Sequence, residues 1–397
     1  MADASLEAGF GLYVHWPYCE AICPYCDFNV RRQQAVDVAQ WRAAFAADIA
    51  HAARSFGASP PPLTSIYFGG GTPALMPPEL VGEVLGFARK VFPVAGEVEV
   101  TIEANPTATE SDRFRAFRDA GVNRLSLGIQ SLRDDALVFL GRRHSVAEAR
   151  AALARALAVF PRVTFDMIYA RPGQGVLDWR AELGEALALA RDGGHLSLYQ
   201  LTIESGTPFG KRERKGESLG AEEDLAADLY ALTQEMGAAA GLPAYEVSNH
   251  ARAGEESRHN RVYWRYGFYV GTGPGAHGRL PGPTGRNATE AIRDPSRWLA
   301  AVEQQGHGLS LREDLTRRVQ AEELLFMGLR LADGVPAVRF SRVTGWTLAE
   351  ALPDADLAPL IAEGLLERDE SGLRLTAQGR PVLNAVVAAL SDLLPSS

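Results

Sequence analysis

The stretch Tyr13-Val14-His15-Trp16-Pro17-Tyr18-Cys19-Glu20-Ala21-Ile22-Cys23-Pro24-Tyr25-Cys26 begins as a β-branched and aromatic run and ends in the pattern C-x-x-x-C-x-x-C. The run reads as a strand and the cysteines as the loop that leaves it. All three cysteines of the 397-residue chain fall in this one window. Their spacing lets a single loop wrap three irons of a cubane [4Fe–4S] cluster and leave the fourth iron without a protein ligand. A structural zinc site would need four ligands, usually from two separated pairs, and this loop offers three. His15 is the nearest fourth zinc ligand, but it lies inside the strand-like run. An odd number of cysteines cannot be fully paired as disulfides within one chain.

Working outward, short apolar runs alternate with longer amphipathic segments as far as about residue 250, the signature of repeated βα units. Strands are predicted at Gly11–Trp16, Thr64–Phe68, Val98–Glu103, Arg124–Gln130, Val163–Ile168 and Leu196–Thr202, with a further one near Tyr245–Val247. Val36, Trp41, Phe45 and Ile49 share one face of the first helical pattern. Phe114 and Phe117 line another, which Gly121 ends as a C-cap. Six such units predict an α/β fold, an incomplete (β/α)6 barrel related to the TIM barrel, with functional groups at the C-terminal ends of the strands.

The unusual sequences fall at those ends. Gly69-Gly70-Gly71-Thr72-Pro73 follows the second strand, Glu103-Ala104-Asn105-Pro106 ends the third and Gln130 ends the fourth. Asp166 and the turn Arg171-Pro172-Gly173 belong to the fifth. Residues 1–250 are therefore read as the barrel. Residues 251–314, rich in Gly, Pro and Arg, are read as an irregular connection. Residues 315–397 are read as a small α+β domain: a helix to Leu331, short helices at Leu348–Leu352 and Leu357–Leu366, a hairpin over Glu367–Thr376 and a last helix from Gln378 to Leu394. That order resembles a winged helix.

The strand, the cysteine spacing and the aromatic residue before the last cysteine resemble the radical S-adenosylmethionine (SAM) superfamily, and within it the oxygen-independent coproporphyrinogen III oxidase group. The resemblance implies a [4Fe–4S] cluster on Cys19, Cys23 and Cys26, with SAM chelated to the open iron and an external electron donor for the cluster. It implies that Gly70, Gly71 and Thr72 lie at the SAM amino group. Glu103, Gln130, Arg142 and Asp166 match family positions around SAM, and Tyr13, Tyr25 and Phe28 flank the same site. A carboxylate and an amide suit ribose hydroxyls, and a guanidinium suits a carboxylate.

Two features separate this chain from the decarboxylating oxidase. Phe28 stands where the oxidase has a fourth cysteine, and the long extension that precedes the oxidase cysteines has no counterpart before Cys19. In addition, His259-Asn260-Arg261-Val262-Tyr263-Trp264 matches the H-N-x-x-Y-W motif of heme chaperones of the HemW type. That match makes His259 a candidate heme ligand and implies a chain that binds heme and passes it to an acceptor protein. The alternative is radical decarboxylation of coproporphyrinogen III. The chain departs from the family at Trp16, where Ile is usual, and at Ala170-Arg171-Pro172, where Gly-Leu-Pro is usual. The second departure is expected to alter the site lining.

A formal net charge of −9 argues against nucleic acid as a partner. The first ten residues lack the basic start and apolar stretch of a signal peptide, and no segment approaches the length of a membrane span, so a cytoplasmic location is expected. Membrane association would then be peripheral, through the acceptor alone. From Trp346 onward the only strong bases are Arg368, Arg374 and Arg380, among more numerous acids, so the tail reads as a lid or docking module rather than a DNA reader. Lys211-Arg212-Glu213-Arg214-Lys215 reads as a solvated loop, with contact to heme propionates as the second reading.

Overall fold

A computed structural model of the chain describes residues 8–395. Six strands follow one another in parallel: β1 (Phe10–Trp16), β2 (Leu63–Gly70), β3 (Val94–Ala104), β4 (Arg124–Gln130), β5 (Arg162–Tyr169) and β6 (His195–Gln200). Helices α1 (Val38–Ala53), α2 (Pro78–Val91), α3 (Phe114–Ala120), α4 (Val146–Val159), α5 (Val176–Ala190) and α6 (Glu223–Ala239) return the chain between them. The α/β fold and its C-terminal α+β unit are as the sequence predicts.

The helices form for local reasons. The Asp37 carboxylate caps α1 by accepting from the amides of Ala39 and Gln40, and Ser145 and Glu148 form a reciprocal capping box on α4. Gly121 closes α3 in the left-handed conformation expected of a C-cap. The outward residues of β1, Phe10, Leu12, Val14 and Trp16, are buried under the helices, where Trp16 packs on Trp41 with ring centroids 4.8 Å apart. The inward residues alternate with them and are largely polar: Tyr13 and His15 on β1, Ser65 and Tyr67 on β2, Arg124 and Ser126 on β4, Thr164 and Asp166 on β5, Ser197 on β6. The interior is therefore a polar hollow lined by strands and insulated by an apolar shell.

The sheet does not close. On one side, β7 (Asn249–Ala251) adds antiparallel to β6. The strand expected at Tyr245–Val247 thus forms a few residues later, after the buried Glu246 carboxylate has accepted from Asn249 and Ser248. On the other side, β8 (Phe268–Thr272) pairs parallel with β1, and β9 (His277–Gly282), β10 (Gly285–Ala291) and β11 (Leu309–Asp314) continue antiparallel, giving eleven strands in all among the described residues. Residues 251–314 are therefore not the irregular connection expected. Their Gly and Pro residues serve close strand contacts and turns, as at Gly278, where an added Cβ would lie 2.5 Å from the Thr289 hydroxyl.

Helix α7 (Arg258–Trp264) plugs the N-terminal end of the hollow. Its first amides, those of Arg258 and His259, donate to the buried Glu99 carboxylate at 3.2 and 3.1 Å, and Arg162 bonds the same group at 2.5 Å. The C-terminal part has its own core, which includes Leu324, Leu325, Phe340, Leu357, Leu373 and Leu390. A three-stranded sheet of Val335–Pro336, Leu366–Asp369 and Gly372–Leu375 lies among helices that include α8 (Arg317–Gly328). The helix Ala337–Thr344 adds to those the sequence suggested. Arg279 of β9 joins this part to the sheet through Glu323 of α8 at 2.6 Å.

Candidate functional site

The C-terminal ends of β1–β6 surround a cavity of about 410 Å³. Cys19, Cys23 and Cys26 lie at its mouth, and Gly70, Gly71, Thr72, Glu103, Gln130, Arg142 and Asp166 line its wall with Tyr25 and Phe28. Ten βα-loop and strand-end residues chosen from separate stretches of sequence thus meet in one place, as do the two aromatics.

The cysteine loop is held on both flanks. The Gly71 amide donates to Trp16 O at 2.7 Å and the Thr72 amide to Tyr18 O at 2.8 Å, fastening the glycine turn to the end of β1. Beyond the cysteines, the Phe209 amide donates to Pro24 O at 2.9 Å. Gly70 adopts φ 111°, and a Cβ there would strike the His15 ring at 2.5 Å. At Gly71 a Cβ would come within 2.7 Å of Tyr18 O and 3.0 Å of Cys19 Sγ, so only glycine lets the two loops approach.

Arg142 is a buried hub. Its Nη1 donates to Cys23 Sγ at 3.3 Å, and its Nη2 donates to Asn105 Oδ1 at 2.5 Å and Gly128 O at 2.8 Å. Asn105 in turn donates to Thr72 Oγ1 at 3.0 Å and to Glu110 Oε1 at 3.2 Å. Its backbone amide donates to Glu110, whose carboxyl burial pushes up to about 7. Arg142 Nε is buried and has no hydrogen-bond partner among the described residues, an open donor at the cavity wall. Gln130 sits at φ 71°, a left-handed conformation uncommon for a residue with a side chain and typical of strain held at a ligand site.

Deeper in the cavity two carboxyls face each other. Burial lifts Glu103 to about 7, with the hydrogen bond from Tyr67 OH at 2.7 Å opposing the shift and Asp166 adding to it. Burial likewise lifts Asp166 to about 6. Burial also pushes the Cys19 and Cys26 thiols up to about 11, so they stay protonated unless a cation draws the protons off.

These residues fit the cluster and SAM. Three thiols on one loop, a bare-backbone turn beside them, an orphaned buried guanidinium nitrogen and two carboxyls with an amide form a donor set that suits iron, an amino-acid moiety and ribose hydroxyls. His15 is no fourth zinc ligand: its ring bonds Tyr13 OH at 3.1 Å and Asn29 O at 2.9 Å. Among the described residues no three His, Cys, Asp or Glu side chains converge on one ion.

Two expected site residues, Tyr13 and His259, lie outside the cavity lining. Tyr13 is stacked on Tyr67 beneath the cavity wall rather than in it. His259 is 1% exposed at the plugged end, its Nδ1 bonded to Ser65 Oγ at 2.9 Å, its Nε2 to Tyr263 OH at 2.8 Å and its ring stacked on Tyr67. Burial drives its pKa down to about 3. Both ring nitrogens of His259 are thus engaged within the protein, at the plugged end of the barrel. Arg171 also turns away from the cavity, pairing with the buried Glu182 at 2.5 Å and with Ser131 at 2.5 Å, so that departure from the family pattern leaves the lining intact. Arg212 of the basic run forms an exposed pair with Glu217 at 2.7 Å.

The structure adds Arg124, Ser126, Thr164, His195, Ser197, Tyr199, Asn249 and Asn260 to the cavity. Their signal in the sequence was the polar phase of a two-residue alternation, clearest in His195-Leu196-Ser197-Leu198-Tyr199.

Comparison with known proteins agrees with this geometry. Residues 13–186 match the radical SAM superfamily, and residues 315–382 match the HemN C-terminal domain. The chain is 40% identical over 388 residues to the mouse "Radical S-adenosyl methionine domain-containing protein 1, mitochondrial", covering 96% of this chain and 86% of that protein. It is 32% identical over 379 residues to the "Heme chaperone HemW" of Bacillus subtilis, covering 95% and 98% of the two chains. The solved structure of the Escherichia coli coproporphyrinogen III oxidase HemN, a radical SAM enzyme, superposes with a TM-score of 0.79 over 97% of this chain and 91% of that one, at 22% identity, which shows a common fold. The chain belongs to the radical SAM superfamily, in the family that includes the HemW heme chaperones and the mitochondrial radical SAM domain-containing protein 1.

Proposed function

We propose that this protein is a heme chaperone that binds a [4Fe–4S] cluster, SAM and heme and hands heme to an acceptor protein. The observation that carries the reading is the mouth of the cavity. Phe28, which the sequence resemblance sets where the oxidase has a fourth cysteine, is 63% exposed there, next to three thiols that share one loop. Relatives along nearly the whole chain carry the name heme chaperone.

Cys19, Cys23 and Cys26 would hold three irons, and Gly70 to Thr72 the SAM amino group. Glu103 and Gln130 would take ribose hydroxyls, Arg142 the SAM carboxylate, and Asp166 would border the sugar. The cluster with SAM bound supplies one-electron chemistry from an external donor. The chain's own part is to fix the loop, exclude water from the cavity floor and keep Glu103 near neutrality so that it can give or accept a hydrogen bond. Among the described residues no helix is long and apolar enough to cross a membrane. Three free thiols suit a reducing compartment such as the cytoplasm.

The test is anaerobic. Reconstituted protein is titrated with heme, and in parallel is given coproporphyrinogen III, SAM and reductant. Saturable one-to-one heme binding without decarboxylated product is the expected result. Product formed over many turnovers would make the protein an oxidase and overturn the chaperone reading.

A further inference from the structure

The motif His259-Asn260-Arg261-Val262-Tyr263-Trp264 makes up nearly all of α7, at the end of the hollow away from the cysteine loop. Strand register arranges the inward side chains between α7 and Glu103 in layers. Gly11 of β1, Ser65 of β2 and Glu99 of β3 are level in the lowest, and Tyr13, Tyr67 and Thr101 are level in the next. Glu103 stands one layer higher, two residues beyond Thr101 on β3.

His259 fills the lowest layer. Its Nδ1 bonds Ser65 Oγ at 2.9 Å, its amide donates to Glu99 at 3.1 Å and its Nε2 bonds Tyr263 OH at 2.8 Å. The ring is thus held from β2, from β3 and from its own helix. Tyr67 lies on it with ring centroids 5.0 Å apart and planes 23° apart, and Tyr13 flanks the two rings at 6.3 and 6.4 Å. So supported, the Tyr67 ring carries its hydroxyl up to the next layer, where it donates to Glu103 Oε1 at 2.7 Å.

Glycines make room for this pile of rings. A Cβ at Gly11 would lie 3.2 Å from His259 Cε1, and one at Gly69 would lie 2.9 Å from the Tyr13 ring and 3.0 Å from the Tyr67 ring. A phenol that reaches a carboxylate is a strong and directional donor. It takes one oxygen of Glu103 and limits the orientations in which the carboxyl can present its remaining lone pairs to the cavity, whose wall both residues line.

We propose that Tyr67 is the positioning residue for Glu103, and that α7, through the His259 ring, holds Tyr67 in place for that task. The histidine motif at one end of the barrel thereby sets the SAM ribose contact near the other. The assignment rests on the reading of Glu103 as a ribose ligand.

The experiment measures SAM affinity by anaerobic calorimetry in full-length, cluster-reconstituted wild type, Tyr67→Phe, Glu103→Gln and the double variant. Tyr67→Phe keeps the stacked ring and loses only the hydroxyl. We expect it to weaken SAM binding roughly fivefold, Glu103→Gln to weaken it roughly tenfold, and the double variant to bind no more weakly than Glu103→Gln alone. The groups acting on the Glu103 carboxyl are Tyr67 of β2, Asp166 of β5 and the Gly70 amide, with the phenols of Tyr13 and Tyr263 further off. Tyr67→Phe removes only the first, a donor that favours the ionised form. The break that Glu103 puts in the pH profile of SAM affinity, at about 7 in wild type, should therefore move to higher pH in Tyr67→Phe and vanish in Glu103→Gln. His259→Gln, which removes the ring beneath Tyr67, should weaken SAM binding in the wild-type background and leave it unchanged in the Tyr67→Phe background. If Tyr67→Phe binds SAM as wild type does, or if its effect simply adds to that of Glu103→Gln, the assignment is wrong while the SAM reading stands. If Glu103→Gln itself leaves SAM affinity unchanged, the ribose reading fails and the assignment falls with it.

Discussion

Arg142 Nη1 sits 3.3 Å from Cys23 Sγ, placing a buried guanidinium on one of the three thiols of the cluster loop. A cation that donates a hydrogen bond to a cluster thiolate favours the reduced, more negative state. Arg142→Met should therefore still assemble a cluster but make its reduction potential more negative, on the order of 50 mV for a few-fold change in the one-electron equilibrium. An unchanged potential in a redox titration would mean that the contact is not kept when iron is bound.

The three thiols proposed to hold the cluster have no spare among the described residues. Cys23→Ser should abolish both the absorbance and the iron content of the reconstituted cluster. Full iron retention would sink the cluster assignment.

Glu103 gives a pH signature. Its carboxyl keeps its proton to about pH 7 in the folded protein but only to about 4.5 in the unfolded chain. Between those values the native state binds the extra proton, so its stabilising contribution is complete below about pH 4.5 and lost as pH rises through 7. Glu103→Gln removes that loss. Urea unfolding of the apo-protein should find the variant more stable by roughly 3 kcal/mol at pH 8 and little different near pH 4.5. Parallel pH profiles for the two proteins would show that the carboxyl is not buried in this way.

Ala170 holds φ 59°, a left-handed conformation that costs a residue with a Cβ but not glycine. Ala170→Gly should stabilise the protein by about 1 kcal/mol, after allowing for glycine's larger entropy loss on folding. Thermal unfolding measures it, with cluster content unchanged. A lower melting temperature would contradict the strain.

His259→Ala removes two buried hydrogen bonds and a ring packed on Tyr67 and Tyr263. The expected cost is roughly 3 kcal/mol of stability, read by urea unfolding of the apo-protein. Unchanged stability would contradict the packing of this ring at the barrel's plugged end.

The parallel core was legible because β-branched and aromatic runs and glycine turns are local signals, and so was the cysteine loop. The role of His259 was not, because its partners Ser65 and Glu99 lie 194 and 160 residues away along the chain. A histidine beside two aromatic residues reads equally as ligand or as plug until those partners are placed. The sheet extension was hidden for another reason: strands β9 and β10 carry the Gly and Pro residues that usually mark loops, tolerated here by tight pairing. The floor of the cavity was missed because each inward Ser, Thr or His is unremarkable by itself, and only the curved arrangement of strands makes them neighbours.

An open sheet of this width has two borders, each a potential template for another chain. Here one border is β7, three residues long and buried, whose outward peptide groups are taken by the preceding turn, Asn249 O accepting from the Tyr245 amide and the Ala251 amide donating to Pro243 O, and the other is β11, whose Arg312, Glu313 and Asp314 are exposed. A short border offers too few hydrogen bonds to recruit a foreign strand, and a border of mixed charges must be desolvated before one can add. The same openness that gives a bulky guest access to the hollow is thereby kept from becoming a seed for aggregation.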